Sequence, residues 1–378
     1  MNSTRIWLSA PHMGGQEQKY VQEALESNWI SSVGPNLTFF EQKLETYLGS
    51  GSIAVLNSGT SAIHLGLILL GVKAGDEVLC QSMTFSASAN PILYQGAIPI
   101  FVDSEEDTWN ICPVALQEAI QDRIAKGKKP KAIIAVHLYG VPYKVDEIRT
   151  IADQYQIPIV EDAAEALGSS YKGQRCGTFG DVGVLSFNGS KIITTSAGGA
   201  IVLPNSDWKE KAIYLATQAK DKAAHYQHSE IGYNYRMSTV CAGIGLGQME
   251  VLDQHIDLRR AMHTFYLDVF KEISGVMVYS VPNDDYFATY WLTAVLISPE
   301  KTDGITSEMV RLALEAENIE SRPLWKPMHL QPLYEKQPYY GNKVAETLFE
   351  NGLCLPSGSS ITDVERDKIR AVLLGIFK

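Results

Sequence analysis

Residues 157–165 read Ile157-Pro158-Ile159-Val160-Glu161-Asp162-Ala163-Ala164-Glu165, a short apolar run that stops abruptly on carboxylates and small residues. A run that is apolar throughout, rather than at alternate positions, suits a strand covered on both faces of a largely parallel sheet. The carboxylates at its end are costly to bury unless a cation or hydrogen-bond donors meet them. In open α/β sheets such strand ends are where ligands sit.

Similar runs recur on either side. The predicted strands are Ile53–Leu56, Asp76–Gln81, Ile98–Val102, Ala132–His137, Ile157–Glu161, Val182–Phe187 and Ala200–Leu203. Helical segments fall between them at Ser61–Leu70, Ala87–Tyr94 and Val145–Tyr155. This alternation predicts an α/β domain with a mixed, mostly parallel seven-stranded sheet between helices. From about Met237 the pattern changes. Long helical runs cover Thr239–Ile256 and Leu258–Ile273, followed by a strand-like run, Tyr290–Ile297, and a helix, Ser307–Glu317. A proline-rich stretch, Pro323–Pro338, precedes a last amphipathic helix, Asp363–Phe377. We expect a large α/β domain over residues 1–250 and a smaller C-terminal α+β domain over 251–378.

The 378 residues are 45% hydrophobic and 20% charged, a balance that excludes disorder, collagen and coiled coil. A net charge of −11, with scattered basic residues, argues against nucleic-acid and anionic membrane surfaces. A local basic pocket for a phosphorylated small molecule stays open. Apolar runs such as Ala62–Val72 fall short of the roughly 20 residues that cross a bilayer. The N-terminal stretch Met1–Trp7 lacks a secretory apolar region. Cys80, Cys112, Cys176, Cys241 and Cys354 are dispersed and form no CxxC pair, which suits reduced thiols in a cytoplasm. No metal site is expected, and His137, at a strand end, reads as structural because no paired ligand accompanies it.

Three strand ends carry unusual groups. Asn57-Ser58-Gly59-Thr60-Ser61 precedes a helix, where free N–H groups and the helix dipole suit a phosphate. Taken alone, the segment reads as an ordinary N-cap. Neither GxGxxG nor GxxxxGK[ST] is present. Asp162 alone also suits an N-cap, the alternative being a carboxylate that holds a proton on a bound heterocycle. Lys191 follows Ser186-Phe187-Asn188-Gly189-Ser190, and partial desolvation there would make its amine a Schiff-base nucleophile. A phosphate cradle, an acid for a ring nitrogen and an amine for an aldehyde are together what pyridoxal 5′-phosphate (PLP) needs. Phe85, after the second strand, could lie flat on its ring or be a core aromatic.

At these residues the chain resembles the fold-type I, PLP-dependent sugar aminotransferases of the DegT/StrS family. The matching segments are Trp29–Ser32 with Phe40-Glu41, Asn57–Ser61, Thr84-Phe85, His137–Gly140, Glu161–Ala164, Ser186-Phe187 with Lys191, and Gly232–Met237. Within the family it is most similar to the transaminases of UDP-N-acetylbacillosamine pathways, through Glu161–Ser169, Asn188–Ser196, Gly232–Met237, Arg322–Lys326 and Leu353–Gly358. Many relatives carry histidine where Asn188 stands, and glutamine or histidine where Glu165 stands. Ala197 occupies a position usually glycine in this branch.

The resemblance implies roles. Lys191 would bond the cofactor and then carry the proton between substrate carbon and cofactor. Asp162 would pair with the pyridine nitrogen. Gly59, Thr60 and Ser186 would hold the phosphate, Phe85 would stack on the ring, and Glu165 would contact the 3′-oxygen. Asn234 would reach the site from the neighbouring subunit of a homodimer. L-Glutamate would leave as 2-oxoglutarate, with pyridoxamine 5′-phosphate as the intermediate form. The amine would then pass to C4 of a UDP-linked 4-keto-6-deoxy-N-acetylhexosamine, giving a UDP-4-amino-4,6-dideoxy sugar for bacterial glycans. Trp29, Tyr226, Tyr235, Arg322 and His329 are candidate sugar and nucleotide contacts, with interface packing the alternative for Trp29 and the tyrosines. Other sugars (dTDP- or GDP-linked, 3-keto), the galacto epimer at C4 and a non-catalytic PLP-binding regulator are the competing readings. Sugar dehydratases of this fold carry a histidine where Lys191 stands.

Overall fold

Each of the seven predicted strands forms within two residues of its expected bounds. In a computed structural model describing residues 5–377, they are β1 (Ser52–Leu56), β2 (Glu77–Gln81), β3 (Ile98–Val102), β4 (Ala132–Val136), β5 (Ile159–Asp162), β6 (Val182–Ser186) and β7 (Gly199–Leu203). Met1–Thr4, part of the stretch read for a leader, lie outside the described residues. The unbroken apolar character of β4 has a direct cause. Ala132, Ile134 and Val136 enter one buried cluster while Ile133 and Ala135 enter another on the opposite face. Each fully buried branched side chain contributes about 1.5–3 kcal/mol, so both faces drive assembly.

Beyond these strands come β8 (Val276–Val278), β9 (Thr293–Ile297), β10 (Arg322–Pro323), β11 (Tyr339–Tyr340) and β12 (Gly352–Leu355). The main sheet has the order β1-β7-β6-β5-β4-β2-β3-β11. β7 runs against both of its neighbours, and the other pairs are parallel. The expected seven strands are thus joined by an eighth, a two-residue edge strand from beyond the proline-rich stretch. A separate antiparallel sheet has the order β8-β9-β12-β10.

The helices Gly59–Leu69, Ser86–Tyr94 and Val145–Tyr155 follow β1, β2 and β4. The two predicted long helical runs meet earlier than expected, forming Thr239–Met249 and Leu252–Phe270. The chain leaves helical geometry at Val251, whose side chain packs so close to Gly14 that a Cβ there would lie 2.7 Å from it. Ile6 pairs with Ile319 and is buried with Val295, Leu314 and Leu353, so the first described residues pack with the last third of the chain. Among the described residues no helix is long and apolar enough to cross a membrane.

Candidate active site

A cavity of about 250 Å³ opens at the carboxyl ends of β1, β5 and β6. Gly59, Thr60, Phe85, Asp162, Glu165, Ser186 and Lys191 all line it. On one side is the start of the Gly59–Leu69 helix. Ser58 caps it, its hydroxyl accepting from Ser61 N–H at 3.1 Å. Asn57 steadies the same turn, with Oδ1 accepting from Ser61 Oγ at 2.7 Å and Nδ2 donating to Asn234 O at 3.1 Å. That leaves the first-turn N–H groups of Gly59 and Thr60 without intrahelical acceptors at the positive end of the dipole. Gly199 lets β7 approach this turn, since a Cβ there would fall 2.3 Å from Gly59 N.

The floor is polar and oriented. Asp162 is buried, and its carboxylate accepts from Ser88 Oγ at 2.6 Å and from Ala164 N at 3.1 Å. Thr84 Oγ1 lies 2.6 Å from the same Ser88 hydroxyl. Lys191 Nζ donates to Glu165 Oε1 at 3.1 Å and lies 3.9 Å from the Trp291 ring centroid. A cation over a desolvated indole gains up to about 2 kcal/mol. The other Glu165 oxygen accepts from Tyr139 N–H at 2.8 Å. Burial pushes the Glu165 carboxyl up to about 7, although the Lys191 charge and the Tyr139 N–H both pull it down. Tyr139 has φ +53°, a strained conformation for a non-glycine residue that aims its N–H at Glu165.

Phe85 is 55% exposed at this cavity, with its ring 5.6 Å from Trp325, so it is not a core aromatic. These donors suit PLP: N–H groups for a phosphate, a fixed carboxylate for a ring nitrogen and an amine for an aldehyde.

The remaining expected residues lie apart from this chain's own cavity. Asn234 is exposed beside Asn57. Trp29 and Tyr226 are exposed, and Arg322 is exposed and paired with Glu320 at 2.7 Å. Tyr235 donates to or accepts from His64 Nδ1 at 3.1 Å and stacks on Tyr233. His329 is tied down, with Nδ1 2.7 Å from Ser82 Oγ and its ring stacked on Tyr339.

His137 needs a correction, because it does have partners. Its Nε2 lies 2.7 Å from Glu161 Oε1, and the Cys176 thiol lies within 4.8 Å of both. Yet Glu161 also accepts from the N–H groups of Gly177, Phe179 and Gly180, two donors to each oxygen. His137 Nδ1 accepts from Tyr143 N–H. A neutral imidazole protonated on Nε2 satisfies every contact, so the cluster is a hydrogen-bonded knot beneath the strand ends.

Trp291, Trp325 and Ser88 were missed as site residues. Trp325 appeared only within a matched segment. Ser88 lies four residues after Thr84, a weak helical signal, while nothing local links Trp291 to Lys191.

An aspartate at the end of β5 and a lysine in the loop after β6, facing a helix N-terminus across one cavity, are the arrangement of a fold-type I PLP enzyme. The chain belongs to the DegT/DnrJ/EryC1/StrS aminotransferase family, which it matches over residues 11–374. PLP is the family's cofactor, and the chain is a PLP-dependent sugar aminotransferase. It is 48% identical to EpsN of Bacillus subtilis (strain 168) over 99% of this chain and 96% of that protein. It is 37% identical to the GDP-perosamine synthase of Escherichia coli O157:H7 over 93% of each. The PLP-form structure of Spr1654 from Streptococcus pneumoniae matches with a TM-score of 0.90 at 26% identity, over 99% of both chains.

Proposed function

We propose that this enzyme moves an amino group from L-glutamate to C4 of a UDP-linked 4-keto-6-deoxy-N-acetylhexosamine, forming a UDP-4-amino-4,6-dideoxy sugar for a bacterial glycan. The observation that carries the chemistry is the meeting of Lys191, Asp162 and the Gly59–Thr60 turn in one cavity. When bound, PLP supplies the electron sink for carbon–hydrogen cleavage. Gly59, Thr60 and Ser186 would hold the phosphate, and Asp162, locked by Ser88 and Ala164, would pair with the ring nitrogen and favour its protonated form. Lys191, hydrogen-bonded to Glu165, would supply the amine that holds the cofactor's aldehyde carbon and would carry the proton at the reacting carbon. Phe85, exposed at the cavity, would cover the ring.

The UDP assignment rests on the segments that resemble the bacillosamine branch. Similarity to a GDP-perosamine synthase supports a second reading, a GDP-linked acceptor. We further propose a cytoplasmic homodimer with shared sites, built on a large domain over 1–250 and a small one over 251–378. Exposed Trp29, Ile30 and Val33 form an apolar edge, and the adjoining Ser31 O accepts from Thr239 N–H, near the Asn234 loop.

A two-stage absorbance experiment tests this reading. Glutamate should bleach the visible band of PLP-loaded protein. After the donor is removed, UDP-4-keto-6-deoxy-GlcNAc should restore the band. Restoration by the GDP-linked keto sugar alone would favour the second reading, and no response to glutamate would sink both.

A further inference from the structure

Residues 187–198, which carry Lys191, form neither helix nor strand. The loop has backbone bonds of its own, Lys191 N–H to Asn188 O at 3.0 Å and Thr195 N–H to Phe187 O at 2.9 Å, and three distant segments tie down its Ser190–Lys191 corner. Ser190 O accepts from Ser9 Oγ at 2.7 Å and from Trp291 Nε1 at 2.6 Å. The third segment is the Leu252–Phe270 helix, which presents Arg259, 1% exposed, to the back of the loop. Arg259 Nη2 donates to Lys191 O at 3.2 Å and to Ser9 Oγ at 3.0 Å. Its Nη1 donates to Trp291 O at 2.7 Å and to Ser357 O at 3.3 Å.

These bonds close a ring. Arg259 holds the Trp291 backbone, the Trp291 indole holds Ser190, Ser9 holds Ser190, and Arg259 holds both Ser9 and Lys191. All the hydrogen-bond partners of Arg259 are neutral oxygens, and among the described residues no carboxylate lies within ion-pair distance of it. Burial drives its guanidinium down to about 9. Filling this space with an apolar side chain would avoid that cost, so the site is built around what the guanidinium holds.

We infer that Arg259 is a positioning residue for Lys191, fixing the loop carbonyl on one side and the Trp291 ring against the amine on the other. This rests on Lys191 being the residue that bonds PLP. Arg259 touches neither the phosphate turn nor Asp162, so its loss should loosen the amine while PLP still docks.

The test saturates purified wild type, Arg259→Met and Arg259→Lys with PLP, then reduces with borohydride at timed intervals. Peptide mass spectrometry reports modified Lys191 per bound PLP, and equilibrium dialysis reports the PLP Kd. Arg259→Met should lower the trapping rate about tenfold or more, as expected for a misplaced reactive group, with Kd changed less than about threefold. Arg259→Lys should recover part of the rate. An unchanged trapping rate in Arg259→Met overturns the inference. A parallel loss of PLP affinity and trapping also overturns it, marking Arg259 as structural only. If Arg259→Met does not fold, Arg259→Lys and Ser9→Ala carry the test, and wild-type trapping rates in both overturn it. Absence of trapping at Lys191 in wild type would instead remove the underlying reading of the lysine.

Discussion

Burial keeps a proton on Glu165 into the neutral range. Its carboxyl rises from 4.5 to about 7, because desolvation outweighs the Lys191 charge and the Tyr139 N–H. In the unfolded chain the group titrates near about 4.3. Between the two values the native state binds a proton that the unfolded state lacks, so this residue's contribution to stability falls as pH rises through that window. Below it both states are protonated, and above it the full penalty persists. Glu165→Gln stays neutral and removes the dependence. In cofactor-free protein the variant should therefore gain on wild type by on the order of 2–3 kcal/mol between about pH 4.5 and pH 8. Chemical denaturation at a series of pH values reads this directly, and a difference that stays flat would mean Glu165 is ionised throughout. At the neighbouring residue, Lys191→Ala should abolish transamination while the far-UV circular dichroism stays native. Full activity in that variant would remove the central chemical claim.

At the scale of elements, the site depends on how closely β7 approaches the turn that opens the Gly59–Leu69 helix. A methyl group at Gly199 would stand 2.3 Å from Gly59 N and 2.4 Å from Ser58 C, both backbone atoms with little freedom to yield. Overpacking of this kind costs typically about 1–3 kcal/mol. Gly199→Ala should lower the melting temperature and, by displacing the N–H groups, weaken PLP binding about tenfold or more. Wild-type affinity would show that the turn does not hold the phosphate. The same elements explain what the sequence disclosed. Strands buried on both faces leave unbroken apolar runs, and groups at their ends stand out against them, which is why Asp162, Ser186 and Lys191 were legible. β11 is two tyrosines long and carries no such run. Ser88, Trp291 and Arg259 reach the site through tertiary folding from helices and segments whose local patterns are ordinary.

At the scale of the whole molecule, Asn234 bears on how two copies of the chain share their sites. It is exposed, lies beside the phosphate turn through Asn57 Nδ2, and does not line its own cavity. If it serves the neighbouring subunit, each site of a C2 dimer combines Lys191 from one copy with Asn234 from the other. Two defective variants then complement each other. Lys191→Ala lacks the amine, and Asn234→Asp would replace the neutral amide offered to the neighbouring site with a negative charge. After subunit exchange about half of the dimers are mixed, and each mixed dimer holds one site with both lesions and one with neither. Activity should therefore recover to about a quarter of the wild-type value in an equimolar mixture. If each site were built from a single chain, every site would keep one lesion and mixing would restore nothing. Exchange is followed by native mass spectrometry of a tagged variant, so absence of recovery among demonstrably mixed dimers would remove the shared-site reading. It would leave the chemistry at Lys191 standing.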